Sequence, residues 1–210
     1  MYKQFFEQVL QPRNCVFCGA RCGLHEPHVC SGCLDDLPWR ATLLGCDLAP
    51  CEISAALFEY AFPVDMALKA LKFRRRLDYV PAFAALLARV YPALPDDIDA
   101  LLPVPLHWRR HARRGFNQAV ELCRELRVTA GLPLLHNIRR QRATPFQSGL
   151  AAQARSANLH AAFRAHGRVT ARHVLIIDDV ITTGATCRDL ANVVLAAGAA
   201  KVSALAVART

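Results

Sequence analysis

The chain has 210 residues, 53% of them hydrophobic and 20% charged, a composition that is typical of a folded globular protein and argues against a disordered one. Its formal net charge is +9, and 22 of its 26 basic residues are arginine, which favours partners that carry phosphate or other anionic groups. No apolar stretch reaches the roughly 20 residues of a membrane-spanning helix, and residues 1–10 lack the pattern of a signal peptide, so the sequence predicts a cytoplasmic protein.

The N-terminal region is rich in cysteine. Five of the nine cysteines lie between residues 15 and 33, and in a reducing compartment they are not expected to form disulfides. Two C-x2-C pairs, Cys15 with Cys18 and Cys30 with Cys33, are separated by eleven residues, a spacing that can present four thiolates tetrahedrally to a structural Zn2+ ion. Free thiols and an iron–sulfur site are the alternatives, and three further residues could act as ligands instead: Cys22, His25 and His28.

Secondary structure is predicted from hydrophobic periodicity and from glycine and proline breaks. Residues 34–50 are predicted to be a connector. After it, we predict strands at residues 53–62, 99–105, 134–138, 173–178 and 201–208, and helices at 64–76, 81–91, 116–130, 150–159 and 185–198. This alternation predicts an α/β fold in which helices cover both faces of a parallel sheet. The predicted domains are a zinc-ribbon-like cysteine module with its connector at residues 1–50 and an α/β domain at residues 51–210.

Two loops follow apolar strands, at the end of the sheet where open α/β proteins bind ligands. The first lies in VLIIDDVITTGAT (174–186), where two carboxylates precede a threonine-rich turn and a helix. Amide and hydroxyl groups of residues 182–186 can converge on a phosphate, and Gly184 lets the backbone approach it closely. Asp178 and Asp179 would repel a bare phosphate but can accept hydrogen bonds from sugar hydroxyls. The pattern therefore predicts a site for a sugar phosphate.

Other phosphate-binding loops fit this segment poorly. The chain lacks the glycine-rich patterns of P-loop and dinucleotide-binding proteins. An ordinary strand–turn–helix with threonine caps is the structural alternative, and it accounts for the turn but leaves the doubled aspartate unexplained.

The second loop lies in PVPLHWRRHARRGFNQ (103–118) and is strongly basic. Residues 107–142 contain nine arginines and two acidic residues. With Lys69, Lys72 and residues 74–76, these cations could follow a nucleic-acid backbone, while Trp108 and Phe146 stack on bases. A pyrophosphate pocket beside a solvated surface is the alternative, and Phe116, a further candidate for base stacking, also suits a helix core. His107 and His111 are candidates for acid–base groups or for ordinary hydrogen-bonding residues.

These motifs together resemble a known family. VLIIDDVITTGAT resembles the 5-phosphoribosyl-1-pyrophosphate (PRPP) motif of type I phosphoribosyltransferases. The rest of the chain is similar to the ComF family of bacterial competence proteins, which are associated with DNA uptake. This similarity is carried by the cysteine module and by the segments LLPVPLHWRRHARRGFNQA, ATPFQSGLAAQARSANLHAAF and the terminal LAVART. Two features depart from the family pattern: only Cys46 and Cys51 stand where a second cysteine array is common, and LKFRRRLD has arginine where glycine is common.

The resemblance implies a type I phosphoribosyltransferase-like domain and a set of site residues. Asp178 and Asp179 would hold the ribose hydroxyls, and Thr182, Thr183, Gly184, Ala185 and Thr186 the 5-phosphate. Pyrophosphate would bind through backbone amides of Val104, Pro105, Leu106 and His107, with added charge from Arg109, Arg113 and Arg114. Mg2+ would bridge pyrophosphate and ribose oxygens and take most of its ligands from substrate and water.

The resemblance also leaves two functions open. One is a phosphoribosyltransferase that acts on PRPP and an unknown nucleophile. The other is a non-catalytic accessory of natural transformation that senses PRPP or a nucleotide, binds single-stranded DNA and contacts a helicase or channel of the uptake machinery. No catalytic base is evident in the sequence, which keeps the second function open.

Overall fold

The computed structural model describes residues 14–23, 28–41, 44–141 and 162–210. The helices in this part of the chain are α1 (Ser31–Asp36), α2 (Val64–Arg74), α3 (Tyr79–Val90), α4 (Trp108–Arg114), α5 (Gln118–Ala130) and α6 (Ala185–Ala196), with a 3-10 turn at Tyr91–Ala93. The strands are β1 (Leu44–Gly45), β2 (Ser54–Glu59), β3 (Ala100–Pro103), β4 (Ile138–Arg140), β5 (Phe163–Ala165), β6 (His173–Ile181) and β7 (Lys201–Arg209). The predicted helix at 150–159 and Phe146 lie outside the described residues.

Five strands form one sheet in the order β1-β2-β7-β6-β3, with every neighbouring pair parallel except β1 and β2. Strand β6 is flanked on both sides, so that Ile177 pairs with Pro103 and with Leu205. Strands β4 and β5 form a separate antiparallel ribbon. Of the strand predicted at 134–138, only a bridge from Leu134 to Leu101 and the first residue of β4 are present. The predicted α/β fold with a mostly parallel sheet is confirmed.

Side chains alternate along β6 and divide the core into two layers. Leu175 and Ile177 pack with α2, α3 and α5 on one face of the sheet. Val174 and Ile176 pack with α6 and the β4–β5 ribbon on the other face. Because both faces are covered, β6 and β7 are almost continuously apolar up to their carboxyl ends.

The aspartate pair does not terminate its strand, contrary to the predicted boundary at residue 178. Strand β6 continues to Ile181, and Val180 pairs with Ala208. The reason is that β7 is as long as β6 and supplies backbone partners beyond the acidic residues. Asp178 and Asp179 are therefore strand residues at the carboxyl edge of the sheet.

The segment 34–50 contains more structure than a connector. Strand β1 pairs with β2, and Leu48 is fully buried against the α6 layer of the core. The Trp39 ring lies 4.6 Å from the Phe58 ring, and its Nε1 donates to the carbonyl of Leu34 at 2.8 Å. The N-terminal region is thus joined to the sheet along β2.

A buried histidine holds the amino end of the sheet. His173 Nδ1 lies 2.6 Å from Asp97 Oδ1, and His173 Nε2 lies 2.9 Å from the Ser203 hydroxyl. Asp97 also accepts a bond from Lys201 Nζ at 3.0 Å. Ser203 is fully buried, so this Ser–His–Asp arrangement connects β6, β7 and the segment before β3 and does not face a substrate.

Candidate functional site

The carboxyl ends of β3 and β6 bring the two predicted loops together. Pro103 of β3 pairs with Ile177 of β6, so the loop 104–107 begins beside the two aspartates. We call the region formed by Asp178, Asp179, residues 182–186 and residues 104–107 the strand-end site. The arrangement follows from the parallel sheet, in which loops after adjacent strands lie at the same edge.

The two aspartates lie on opposite faces of the sheet because successive strand residues alternate. Asp178 continues the series of Val174 and Ile176 on the α6 face, and Asp179 lies on the face of α2. Burial, and then the charge of Asp179, raise the pKa of Asp178 to about 7. At neutral pH the pair is therefore incompletely ionised, and a cation or hydroxyl donor bound there would favour its charged form.

Cations approach Asp179 from two helices. Its Oδ2 forms an ion pair with Lys72 Nζ at 3.0 Å, and both side chains are largely buried. Burial lowers the pKa of Arg114 in α4, while the negative charge of Asp179 opposes that shift. Asp179 thus lies among positive charges that could also face an anionic ligand.

The threonine turn presents polar groups at the start of α6. Thr182 and Thr183 are exposed and Thr186 is half-buried. The Thr183 carbonyl accepts a bond from Arg188 Nη1 at 2.8 Å, and its hydroxyl accepts one from the Ala185 amide at 3.4 Å. These bonds hold the turn at the N-terminus of a 12-residue helix, where the helix dipole favours an anion.

Gly184 gives the turn its shape. It has a φ of +73°, in the left-handed region, and is the N-cap residue of α6. A Cβ at this position would lie 1.9 Å from Leu48 Cδ1. Both the backbone conformation and the space therefore require glycine.

The loop 104–107 has fewer available amides than the resemblance implies. The Val104 amide donates to the Ile177 carbonyl at 2.9 Å, and the Val104 carbonyl accepts a bond from Asn117 Nδ2 at 3.0 Å. Pro105 has no N–H group. Of the four residues expected to bind pyrophosphate through their amides, these two cannot do so, and Leu106 and His107 remain.

His107 has a structural role in this loop. Its side chain is 4% exposed, and its Nδ1 accepts a bond from the Arg109 amide at 3.3 Å as the N-cap of α4. A buried capping residue satisfies one of the orphan amides of a helix. This contact favours the hydrogen-bonding alternative over an acid–base role.

The arginines of α4 are divided between its faces. Arg109 lies with its Cζ 5.3 Å from the Trp108 ring centre, and both side chains are exposed. Arg113 is exposed. Burial, and then the positive charge of Arg113, lower the pKa of Arg110, and the charge of Arg113 adds to the lowering of the pKa of Arg114 by burial. Arg114 is half-buried, with its Cζ 5.6 Å from the Phe73 ring centre.

Another arginine, on the β4–β5 ribbon, interacts electrostatically with Asp178 of the strand-end site. Burial, and then the charge of Arg110, lower the pKa of Arg140, and the charges of Asp178 and Asp189 oppose this shift. The Arg140 guanidinium also lies 5.2 Å from the Phe163 ring centre. The α6 face of the aspartate pair is therefore also cationic.

The four predicted metal ligands converge. The Sγ atoms of Cys15, Cys18, Cys30 and Cys33 all lie within 4.8 Å of one another, and those of Cys18 and Cys30 are 3.6 Å apart. Four sulfurs at about 2.3 Å from a tetrahedral Zn2+ would be roughly 3.8 Å apart, so the cluster could hold such an ion. Burial, and then hydrogen bonds with Cys18, Cys30 and Cys15, raise the pKa of Cys33; a bound cation would favour the thiolates instead.

The remaining cysteines do not join this cluster. Within residues 14–23, 28–41, 44–141 and 162–210, it is the one group of three or more metal-binding side chains. Cys22 is buried close by, Cys46 is exposed, and Cys51 is buried in the α6 layer of the core. A second metal site of the family pattern is not formed by the described residues.

The chain is similar to known bacterial proteins over most of its length. No family model matches. The DNA utilization protein YhgH of Salmonella typhi is 36% identical over 203 residues, which cover 93% of this chain and 84% of the relative. Competence protein F of Haemophilus influenzae is 30% identical over 93% of this chain and 84% of the relative. This chain belongs to the competence protein F family. Competence protein ComFC of Bacillus subtilis is 28% identical over 93% of this chain and 78% of the relative.

Solved structures resemble this family member more loosely. A purine phosphoribosyltransferase from Pyrococcus horikoshii has a TM-score of 0.38 and 20% identity over 62% of this chain and 83% of that chain. A glutamine PRPP amidotransferase from Bacillus subtilis has a TM-score of 0.36 and 19% identity over 60% of this chain and 25% of that chain. Likeness at this level does not bear on the function of the family member. Among its described helices, none has the length and apolar character needed to cross a bilayer.

The sequence does not single out Lys72 and Arg140 as neighbours of the aspartate pair, or Arg110 as a neighbour of Arg140, in this competence protein F family member. In the sequence all three belong to a general basic surface. Lys72 carries a signal that could have identified it, because it follows Leu68 by four residues on the buried stripe of α2. A lysine on an apolar stripe indicates a buried partner. No comparable signal marks Arg110 or Arg140, whose positions depend on tertiary packing.

The arginine that departs from the ComF pattern has a physical explanation. Arg75 caps α2 with a φ of +53°, a left-handed conformation in which glycine is strongly favoured. Its side chain covers Gly115, where an added Cβ would lie 3.2 Å from Arg75 Nη2. The arginine thus occupies a glycine position and adds a cation beside α4.

Proposed function

We propose that this member of the competence protein F family binds PRPP with Mg2+ at the strand-end site and transfers its phosphoribosyl group to an acceptor. One observation supports the proposal: at the ends of adjacent parallel strands, the aspartate pair lies beside two elements that could bind anions. These elements are the threonine turn at α6 and the loop that leads into the arginine-rich α4. PRPP has the matching order of groups, a phosphate, two ribose hydroxyls and a pyrophosphate.

Each part of the ligand would have a partner in this arrangement. Residues 182–186 would hold the 5-phosphate through amides and threonine hydroxyls. Asp178 and Asp179 would accept hydrogen bonds from the ribose hydroxyls. The pyrophosphate would face the amides of Leu106 and His107 together with Arg114, since arginine pairs readily with phosphate oxygens.

The reaction requires positioning and charge stabilisation. A lone pair of the acceptor forms a bond to ribose C1 while the bond from C1 to the pyrophosphate oxygen breaks and its electron pair leaves with pyrophosphate; the acceptor proton passes to water. The aspartates would stabilise positive charge that develops on the ribose, and Arg114 would stabilise the leaving group. Mg2+ bound with PRPP would neutralise part of the pyrophosphate charge, and carboxylates such as those of Asp178 and Asp179 are ligands that suit this ion.

PRPP with Mg2+ is expected to raise the melting temperature of the protein. At about one hundred times the dissociation constant, binding stabilises by about 2.7 kcal/mol, which corresponds to roughly 5–10 °C for a chain of this size. The double variant Asp178→Asn and Asp179→Asn should show no shift, because the amides lack the charge of the carboxylates. Differential scanning fluorimetry measures both.

A second aspartate pair provides the matched control. Asp35→Asn with Asp36→Asn removes two exposed carboxylates from α1 and should leave the shift intact. A shift that persists in the Asp178/Asp179 variant would contradict the site assignment. If the shift is lost there, release of pyrophosphate from PRPP with candidate acceptors then tests whether transfer occurs.

A second candidate function is binding of single-stranded DNA. Phe73, at the end of α2, is 65% exposed, and the Arg114 guanidinium lies 5.6 Å from its ring centre. Residues 74–76 beside it are exposed arginines. An exposed aromatic ring among cations suits a stacked base and its phosphates, and the relatives are named for DNA utilization and competence.

The salt dependence of affinity tests this second function. For a labelled single-stranded oligonucleotide, log affinity should fall with log salt, and Arg113→Ala with Arg114→Ala should reduce the slope by about 1.4, about 0.7 for each phosphate contact. Arg164→Ala with Arg168→Ala removes two exposed arginines elsewhere and should leave the slope unchanged. Affinity that does not respond to salt would rule out this electrostatic surface.

We also propose that the cysteine cluster holds a structural Zn2+ ion. Its four ligands are all thiolates, which leaves no open position for a substrate. Residues 14–23 and 28–41 bury few large side chains of their own, so the ion would supply much of the folding free energy of this module.

A further inference from the structure

Helix α2 is apolar on two opposite sides. The side that packs in the core consists of Val64, Ala67, Leu68 and Leu71. By helical spacing, Met66, Ala70 and Phe73 lie on the other side. Met66 is 51% exposed, Phe73 is 65% exposed and Ala70 is half-buried. A helix that is apolar on all sides is normally buried on all sides, so the second side is expected to have a partner.

Large apolar side chains are also exposed at both ends of this helix. Phe62 precedes α2 and is 79% exposed, and Leu77 follows it and is 48% exposed. We call Phe62, Met66, Ala70, Phe73 and Leu77 the exposed stripe. Contiguous apolar surface with charged residues beside it marks an interaction site on a protein. The length of the stripe, more than one helix long, suits a macromolecule and exceeds what a small ligand would cover.

The exposed stripe is symmetric along the chain. Phe62 and Met66 are four residues apart, and so are Phe73 and Leu77, with Ala70 near the midpoint between the two pairs. If two copies of α2 pack antiparallel about a two-fold axis near Ala70, Met66 of each copy meets the partner's Phe73. The small side chain near the axis lets the two helices approach closely. The stripe is therefore complementary to itself.

The charges beside the stripe also fit an antiparallel pair. The end that precedes and begins the helix carries the carboxylates of Glu59 and Asp65, whereas the other end carries exposed arginines at residues 74–76. Antiparallel packing brings the arginine end of each helix toward the carboxylate end of the other. Parallel packing would bring the two arginine ends together, which is unfavourable. Lys69, near the axis, is neutralised by Asp65 at 2.7 Å.

We propose that the exposed stripe is an interface between two copies of this chain, packed antiparallel about a two-fold axis, with Met66 of one copy on the partner's Phe73. One helix and its flanks form a small interface, so pairing should be reversible and depend on concentration. The dimer does not depend on the proposed binding of PRPP. Single-stranded DNA would compete for Phe73, but it would leave Phe62 and Met66, at the far end from the arginines, uncovered.

Sedimentation velocity over a wide range of protein concentration tests this interface. The unmodified protein should show a monomer–dimer equilibrium. Met66→Glu and Phe73→Glu should each weaken dimerisation by about a hundredfold or more, because a carboxylate would be buried without a partner and occurs twice in a symmetric interface. Val128→Glu changes an apolar residue of α5 that is also exposed, and it should leave the equilibrium unchanged.

A double variant tests the direction of packing. Met66→Glu with Phe73→Lys brings opposite charges together in an antiparallel pair and like charges together in a parallel one. It should dimerise about tenfold more tightly than Met66→Glu alone, since two ion pairs form. The proposal is overturned if the protein stays monomeric at the highest concentration, if Met66→Glu leaves the dimer intact, or if the double variant is no tighter than the single one. A chain that never dimerises but loses oligonucleotide affinity with Phe73→Glu would assign the stripe to DNA instead.

Discussion

Gly184→Ala is expected to destabilise the protein by about 2–5 kcal/mol and to abolish the rise in melting temperature caused by PRPP and Mg2+. The left-handed φ of +73° costs a residue with a side chain about 1–2 kcal/mol. The added Cβ, 1.9 Å from Leu48 Cδ1, overpacks the core at a further cost of about 1–3 kcal/mol. Both costs are relieved only if the turn moves, which would displace the groups proposed to hold the phosphate. Denaturant unfolding and scanning fluorimetry measure the two effects.

Two comparisons isolate the clash from the backbone strain. Gly131 has a φ of +68° and nothing within 4 Å of an added Cβ, so Gly131→Ala should show the conformational cost alone. Adding Leu48→Ala to Gly184→Ala should destabilise by less than the sum of the single effects, because the truncation removes the clash. This explanation of the turn would be contradicted if the alanine substitutions at Gly131 and Gly184 lowered the free energy of unfolding equally and the effect of Leu48→Ala simply added to that of Gly184→Ala.

The contact with Leu48 also has a consequence for the architecture. Leu48 belongs to the segment that links the cysteine module to β2, and it is buried against Gly184 of the threonine turn. The shape of the turn thus depends on a residue from the N-terminal part of the chain. A change in that segment is therefore expected to alter the proposed binding of PRPP without contacting the ligand.

Removal of the proposed zinc ion is expected to unfold the cysteine module while the α/β core remains folded. Structural zinc contributes about 10–16 kcal/mol in small modules, whereas this module buries mainly cysteine, valine and leucine side chains beside its Trp39–Phe58 ring contact. In a Trp108→Phe background Trp39 is the single tryptophan, and its emission should shift to longer wavelength when a strong chelator is added. Metal analysis should find about one zinc per chain, as four thiolate ligands require, and less after Cys30→Ser with Cys33→Ser.

Cys46 serves as the control for this experiment. It is exposed and lies outside the four-thiolate cluster, so Cys46→Ser should retain the metal and the Trp39 emission. Purified protein that holds no zinc would refute the proposal, as would an emission spectrum that chelation leaves unchanged.

The sequence by itself determined the class of fold and the chemical character of the site. Apolar strands alternating with helical periods can be buried only in a covered parallel sheet, so the α/β architecture follows from local pattern. The doubled C-x2-C pairs and the segment DDVITTG carry their chemistry in residue type and short spacing. Such local signals do not depend on how distant parts of the chain pack.

Only the tertiary structure decided which groups face one another. Asp178 and Asp179 lie on different faces because β6 continues past them, and that continuation depends on the length of β7. The Val104 amide donates a hydrogen bond to the Ile177 carbonyl, and this bond depends on strand register. Lys72 reaches Asp179 because α2 packs on one face of the sheet. Register and helix packing are set by contacts between residues far apart in the chain, and no local pattern encodes them.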